Sequence, residues 1–516
     1  MSQILHIFKK DTRHLWPEIL ASLVVTGIFV KIYPYTWATG YQVSRMPNVL
    51  AQVVVVLVPV SWWVMLTRLV HQEALVGDQQ FWITRPYKWQ KLLAAKLLFL
   101  AAFLYVPFFI AQSLLLHAAG FHPLSYIPGL LFSLFLITLI LVIPIAAVAA
   151  VTSSFAKAVL WLLAVVVYIA GLAAVGGILF PSDEPTNYGG VTFFFVLCSL
   201  CVAAIIVQYA NRNVRLSRWF IVTAAATLAV SVFPWPGSAL TNIEYPLFSA
   251  GKPRPVNLEF SSNPSLHVTP YGSDEKELLL QFPLTVSDVT VGTVVRANAV
   301  KVAITAPNGL QWSSYWQFDG QYFTPADTNS TVGVKVNRAF LEKVKNLPVQ
   351  VQITWAVSRL RAGATRKITL QNEAFAIPDG GICSMQNDDY SSSATCKFAM
   401  RQPRLTNFTA MWSHKPCSQG QSAGNTFVPA SGWMGSLDKA PADFGITSVW
   451  TSSLYFPGQG FAASGTPADR TFLCPGAPIS FTEYSLIDQA RIDLVIPAIQ
   501  LPYKAEPFII NFNSNN

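Results

Sequence analysis

Reactive side chains are sparse in this sequence, and their spacing limits what they can do. Six cysteines occur. Cys198 and Cys201 form a C-x-x-C pair, but they lie inside an apolar run, where a thiol serves as a small packing group. Cys383, Cys396, Cys417 and Cys474 lie in a polar stretch and include no C-x-x-C pair, which favours disulfides over a zinc site. Four cysteines allow three pairings. Sequential pairing, Cys383–Cys396 and Cys417–Cys474, is the expectation. Gly420-Gln421-Ser422-Ala423-Gly424 matches G-x-S-x-G, yet a nucleophile elbow needs a strand before it, a helix after it and a later histidine. Pro429 follows soon after, and the last histidine is His414. Ser436-Leu437-Asp438-Lys439 matches S-x-x-K without its companion motifs, and Asp388-Asp389 lacks the spacing of a calcium loop. Neither an H-E-x-x-H nor a phosphate-loop motif is present. These patterns predict no catalytic residues, no metal site and no cofactor, so the chain reads as a non-enzyme.

The remaining chemistry is that of charges placed between apolar runs. Of 516 residues, 52% are hydrophobic and 12% charged, and mean hydropathy is +0.41. A soluble globular chain carries about 25% charged residues, which excludes an ordinary soluble enzyme. Residues 1–233 hold 14 Lys/Arg against 6 Asp/Glu; residues 234–516 hold 21 against 20. The cations of the first part form no continuous patch, so no nucleic-acid partner is expected. Seven runs approach the roughly 20 apolar residues that a bilayer span requires: 17–32, 49–70, 92–117, 127–151, 159–180, 191–209 and 219–233. One set of their short flanks carries Lys9, Lys10, Arg13, Arg68, Arg85, Lys88, Lys91, Lys157, Arg212, Arg215 and Arg218; the other carries only Lys31 and Arg45. The excess of cations predicts a cytoplasmic N-terminus, and an odd number of spans then places everything after residue 233 outside. Four cysteines in that outer part suit an oxidising compartment.

Few polar groups fall inside the runs. Glu18 and Lys96 lie near span ends, within reach of the interface, while Gln52, Gln112 and Gln208 are uncharged, so a carboxylate proton relay is disfavoured. Pro59, Pro107 and Pro144 are expected to kink their helices. Ala170, Gly171, Ala173, Ala174, Gly176 and Gly177 form a small-residue stretch that reads as a helix-packing face. Residues 2–16 separate on a helical wheel. Lys9, Lys10 and Arg13 share one arc with His6 and His14, and Ile4, Leu5, Ile7, Phe8, Leu15 and Trp16 share the other, interrupted by Asp11 and Thr12. Such a helix lies in the headgroup plane against the lipid bilayer. The loop 71–91 mixes Glu73, Asp78, Arg85, Lys88 and Lys91 with Phe81, Trp82, Tyr87 and Trp89, and Pro86 holds Arg85 out of helix. Two readings stand side by side: a mechanical contact for a cytoplasmic partner, or an aromatic belt with snorkelling cations.

This layout resembles the permease subunits of type-2 ABC transporters (ABC exporters) over residues 1–233. The resemblance rests on the amphipathic lead, the number of spans, and the loop running Glu73…Gly77-Asp78…Phe81-Trp82-Ile83-Thr84-Arg85-Pro86…Leu92-Leu93-Ala94-Ala95-Lys96. It implies that Glu73, Asp78, Phe81, Trp82, Arg85 and Pro86 belong to an ATPase-coupling loop, and Lys9, Lys10 and Arg13 to an interface helix. It further implies a separate ABC ATPase subunit, pairing with a second permease as a homo- or heterodimer, and residence in a bacterial cytoplasmic membrane. The chain departs from the usual six-span pattern through its seventh run and its large outer region. The alternative reading is a membrane-anchored extracytoplasmic binding or envelope-organising protein without transport activity.

Beyond Pro234-Trp235-Pro236-Gly237 the period changes to that of strands, as in Val300-Lys301-Val302-Ala303-Ile304. Short apolar runs separated by Gly, Pro and Asn predict a mainly β region, and Arg338–Lys345 predicts a short helix. The expected organisation is an interface helix (1–16), a permease-like α-helical membrane domain (17–233) and two β-sandwich modules (234–377 and 378–516), the second holding the disulfides.

Overall fold

The computed structural model describes residues 2–37, 45–72, 89–179, 188–231, 245–247, 256–261, 266–271, 277–314, 316–325, 329–369, 374–377, 381–387, 392–401, 406–413, 423–429, 448–456 and 478–502. The first part is helical: α1 (Ser2–His14), α2 (Trp16–Ile32), α3 (Arg45–His71), α4 (Trp89–Leu100), α5 (Val106–Ala118), α6 (Ile127–Ile137), α7 (Ile143–Val151), α8 (Phe155–Leu179), α9 (Tyr188–Ala210) and α10 (Val214–Ser231). A π turn at Ala101–Tyr105 joins α4 to α5, and another at Thr138–Val142 joins α6 to α7. Each lies just before a proline, Pro107 and Pro144. Proline lacks an N–H and its ring crowds the carbonyl four residues back; the wider turn absorbs that misfit and lets the helix continue. Of the three prolines expected to kink their helices, Pro107 and Pro144 thus follow π turns, while Pro59 lies inside the unbroken helix α3.

The described residues of all seven apolar runs are helical. Among the described residues five stretches are long and apolar enough to cross a bilayer: Trp16–Trp37, Val49–His71, Trp89–Ala118, Pro123–Val151 and Phe155–Val175. Their core is aromatic and aliphatic, with Phe29, Trp62, Met65, Leu69, Phe99, Leu104 and Phe108 fully enclosed. Apolar side chains also cover the outside, for example Leu20, Val56, Leu97, Ile110 and Leu131, as a lipid-solvated body requires.

The second part is β: β1 (Asn257–Phe260), β2 (His267–Tyr271), β3 (Glu277–Ser287), β4 (Thr293–Thr305), β5 (Gln311–Ser313), β6 (Gln317–Phe318), β7 (Tyr322–Phe323), β8 (Asn329–Asn337), β9 (Pro348–Thr369), β10 (Ala374–Ile377), β11 (Gly381–Asn387), β12 (Ser392–Ala399), β13 (Thr406–Ser413), β14 (Ala423–Pro429), β15 (Val449–Phe456) and β16 (Pro478–Gln500), with α11 (Arg338–Lys343) between β8 and β9. Asn337 caps α11 by accepting from the Ala339 amide at 2.8 Å. Among the described residues the strands form three antiparallel sheets: β1-β3-β2 with β8 on β3; β14-β13-β16-β9-β4-β5 with β6 and β7 on β4; and β10-β11-β12-β15. The first two share one core, in which Phe282, Val334, Val302, Ile353 and Trp355 are fully buried.

The strands do not separate at residue 378 as the turn spacing suggested. β9 pairs with β16 from Pro348↔Gln500 to Thr369↔Pro478, so one sheet draws strands from both sides of that boundary. Alternating hydrophobicity marks a strand but not its partner, and the pairing of two strands of 22 and 23 residues overrides the local grouping. The chain enters this part through Tyr245, which is buried against Ala299, Trp316 and Ala356, and whose carbonyl accepts from Arg491 Nε at 2.7 Å.

Candidate functional site

The span Trp89–Ala118 contacts the amphipathic helix through Lys96 and the β part through Gln112. At its first end Lys96 Nζ donates to Asp11 Oδ2 at 2.8 Å, with 5% of the lysine side chain and none of the aspartate side chain exposed. Asp11 interrupts the apolar arc of α1 in the sequence, and the structure explains the interruption. The stripe Ile7–Asp11–Leu15 is buried against protein rather than lipid, and Asp11 meets the cation of α4 there. Lys96 therefore does not snorkel to the interface. Phe8 of α1 stacks on Phe103 (5.8 Å) and meets Phe99 edge-on (6.4 Å), which fixes α1 along the same span. Lys9, Lys10 and Arg13 are exposed on its opposite face, and Leu5 and Trp16 are each 61% exposed.

Neighbouring contacts extend this end of the bundle. Arg68 of α3 pairs with Glu18 of α2, and its guanidinium lies 5.8 Å from the centroid of the Phe155 ring. His71 Nε2 sits 3.1 Å from the Ala149 carbonyl and 3.0 Å from Thr152 Oγ1. A carbonyl only accepts, so Nε2 carries the proton. Midway along the bundle the two π turns meet: the hydroxyls of Tyr105 and Thr138 lie 2.8 Å apart.

At the far end the sheet β10-β11-β12-β15 rests on the helices. Gln112 Oε1 accepts from the Ser448 amide at 2.8 Å, so Gln112 binds the β part. Val449 joins the core of the helical bundle, with Ala399 packed against it. The Lys397 ammonium lies 5.1 Å from the centroid of the Trp37 ring, and burial pushes its pKa down from the usual lysine value. The fit at Gly129 is close: a Cβ there would fall 1.8 Å from the Met400 carbonyl oxygen. Gly120, at φ +93°, turns the chain beneath Ile382, whose side chain would lie 3.1 Å from an added Cβ. The disulfide Cys383–Cys396 crosses β11 and β12 of this sheet at directly opposed positions, with a Cα–Cα distance of 4.0 Å. One expected pairing is thus present; Cys417 and Cys474 lie outside the described residues.

So do Glu73, Asp78, Phe81, Trp82, Arg85 and Pro86, all on the loop expected to couple to an ATPase. His414, Ser422, Ser436 and Asp388-Asp389 also lie outside them. Residues 423–429 form strand β14, where a nucleophile elbow would continue as helix. Cys198 and Cys201 are buried in α9, as packing groups should be, and Cys198 Sγ lies 3.3 Å from the Leu139 carbonyl. Ala170, Gly171, Ala173 and Ala174 of α8 are exposed among the described residues, and an added Cβ at Gly171 would meet nothing within 4 Å. Sequence reasoning missed Asp11, Gln112, Gly129 and Lys397 as contact residues. Only Asp11 carried a signal, as a lone acid on an apolar arc.

No protein-family model matches the chain, and no curated protein does. Among solved structures, the C-terminal globular domain of an oligosaccharyltransferase from Pyrococcus abyssi aligns over 49% of this chain at 9% identity, with a TM-score of 0.11. The chain spans 54% of that domain's length. A chain described as pT26-6p aligns over 45% of this one and 66% of its own length, again at 9% identity, with a TM-score of 0.10. Likeness at this level carries no argument about fold or function.

Proposed function

We propose that this chain is a permease-like membrane subunit of an ABC export system in a bacterial cytoplasmic membrane. A separate ATPase would dock on the loop 71–91, and the β region would face the extracytoplasmic side to receive substrate or an envelope partner. The observation that carries this reading is the span Trp89–Ala118. It holds the amphipathic helix through Lys96 at one end and the disulfide-bonded sheet through Gln112 at the other. A push at the basic end would thereby reach the β part through one continuous helix. Glu18–Arg68 and the basic residues of α1 lie at the first end, away from the sheet, which supports a cytoplasmic basic side and an external β part. The lipid-exposed small-residue face of α8 supports assembly with a second permease.

Affinity purification of the intact protein from its native membrane tests the proposal. A phosphate-loop ATPase should co-purify, and Arg85→Glu combined with Trp82→Ala should abolish its recovery. Association that survives both changes would remove the loop from the coupling role. If no ATPase co-purifies, a membrane-anchored binding protein without transport becomes the better description.

A further inference from the structure

The loop between α7 and α8 lies beside the start of α10, and between them is a cavity of about 160 Å³ lined by Val151, Thr152, Ser153, Lys157, Leu160, Trp161 and Arg218. Two cations from separate helices and two hydroxyls meet there, with no carboxylate among the lining residues. Thr152 already donates within its own turn to the Val148 carbonyl at 3.0 Å. Lys157 Nζ donates to Ser153 Oγ at 2.8 Å, and both residues line the cavity. The remaining wall is apolar and continues onto the outer surface of the bundle, where Leu160 is 65%, Trp161 39% and Trp219 68% exposed. The volume is small beside the roughly 300 Å³ at which pockets for drug-sized ligands begin, which suits a single phosphate group.

We propose that this cavity binds the headgroup phosphate of an anionic phospholipid, with Lys157 and Arg218 pairing with the phosphate and the acyl chains lying along Leu160, Trp161 and Trp219. Free phosphate and a lipid phosphate offer the same charge. The apolar rim that runs from the cavity onto the lipid-facing surface selects the lipid. Basic residues at the ends of spans are a common means of holding anionic headgroups. The proposal is independent of any ATPase partner, because it uses only residues of the described bundle.

Delipidated full-length protein in a neutral detergent tests it by native mass spectrometry with added phosphatidylglycerol, phosphatidylcholine or inorganic phosphate. One phosphatidylglycerol should be retained in preference to phosphatidylcholine. The pair Lys157→Gln and Arg218→Gln should weaken its binding roughly thirtyfold, since each cation near a headgroup contributes about 1 kcal/mol. The charge-matched pair Arg212→Gln and Arg215→Gln, outside the cavity lining, should change it less than threefold; Trp161→Ala should weaken lipid binding and leave phosphate binding unchanged. Equal losses from both charge pairs would overturn the site in favour of general surface attraction. Displacement of the lipid by millimolar inorganic phosphate, with Trp161→Ala having no effect, would overturn it in favour of a soluble anion.

Discussion

Replacing Lys96 by methionine leaves the Asp11 carboxylate enclosed without the ammonium that faces it at 2.8 Å. At that separation two unit charges attract by about 6 kcal/mol in an effective dielectric of about 20. Withdrawing both ions from water costs several kcal/mol for each, so the intact pair contributes little net stability, whereas removing one partner costs about 3–5 kcal/mol. Hydrogen exchange of α1 amides from Ile7 to His14, in protein reconstituted into nanodiscs, reads this directly. Lys96→Met should lower protection there by about two to four orders of magnitude, or to complete undocking of α1. Asp11→Leu in the same chain should restore most of that protection, because an apolar pair of similar volume fits the site without a stranded charge. Protection unchanged by Lys96→Met would refute the buried pair. A double variant no better protected than the single one would refute the expected cost of enclosing the Asp11 carboxylate without Lys96.

Other outcomes follow from the same structure. Gln112→Leu leaves the buried Ser448 amide without its acceptor, a loss of about 1–3 kcal/mol, and should raise exchange selectively over β15. Gly129→Ala drives a methyl group into the Met400 carbonyl oxygen and should release the end of β12 from α6, seen as new protease cleavage near residue 400 with the helical bundle intact. Reducing Cys383–Cys396, which closes a segment with a sequence separation of 13, should cost about 3 kcal/mol in the stability of its sheet; a reduced protein with unchanged unfolding would contradict this. Asp319 is held up to about 6, chiefly by burial and against the hydrogen bond donated by Trp355 Nε1 at 3.1 Å. The folded β part thus keeps a proton that the unfolded chain has released between about pH 4 and 6, so this group's contribution to stability falls as pH rises through that window. Asp319→Asn should remove that component, measured as the difference between the two proteins' unfolding curves across the range; identical pH slopes would exclude it.

The helices were legible because a bilayer span demands a long apolar run, and the described residues of each of the seven runs are helical. Strand positions were legible from alternation: Val300, Val302 and Ile304 all point into one core. Pairing was not, because β9 and β16 are separated by more than a hundred residues and each could satisfy its backbone with several partners. The contact residues were harder still. Gln112 looks like any polar residue within a span, and Gly129 like any flexible one, until the Ser448 amide and the Met400 carbonyl stand against them. Asp11 was readable as an anomaly on its helix, but its partner lies 85 residues away.

Labelling with a membrane-impermeant maleimide in intact cells bears most directly on how the chain sits in the membrane. Val291, 87% exposed in the β part, and Lys9, exposed on the polar face of α1, supply the reporter positions once changed singly to cysteine. Val291→Cys should gain label in intact cells above the parent protein, and Lys9→Cys only after the membrane is permeabilised. Label on Lys9→Cys from outside, with Val291→Cys protected, would invert the orientation and remove the basis for a cytoplasmic ATPase acting on the loop 71–91.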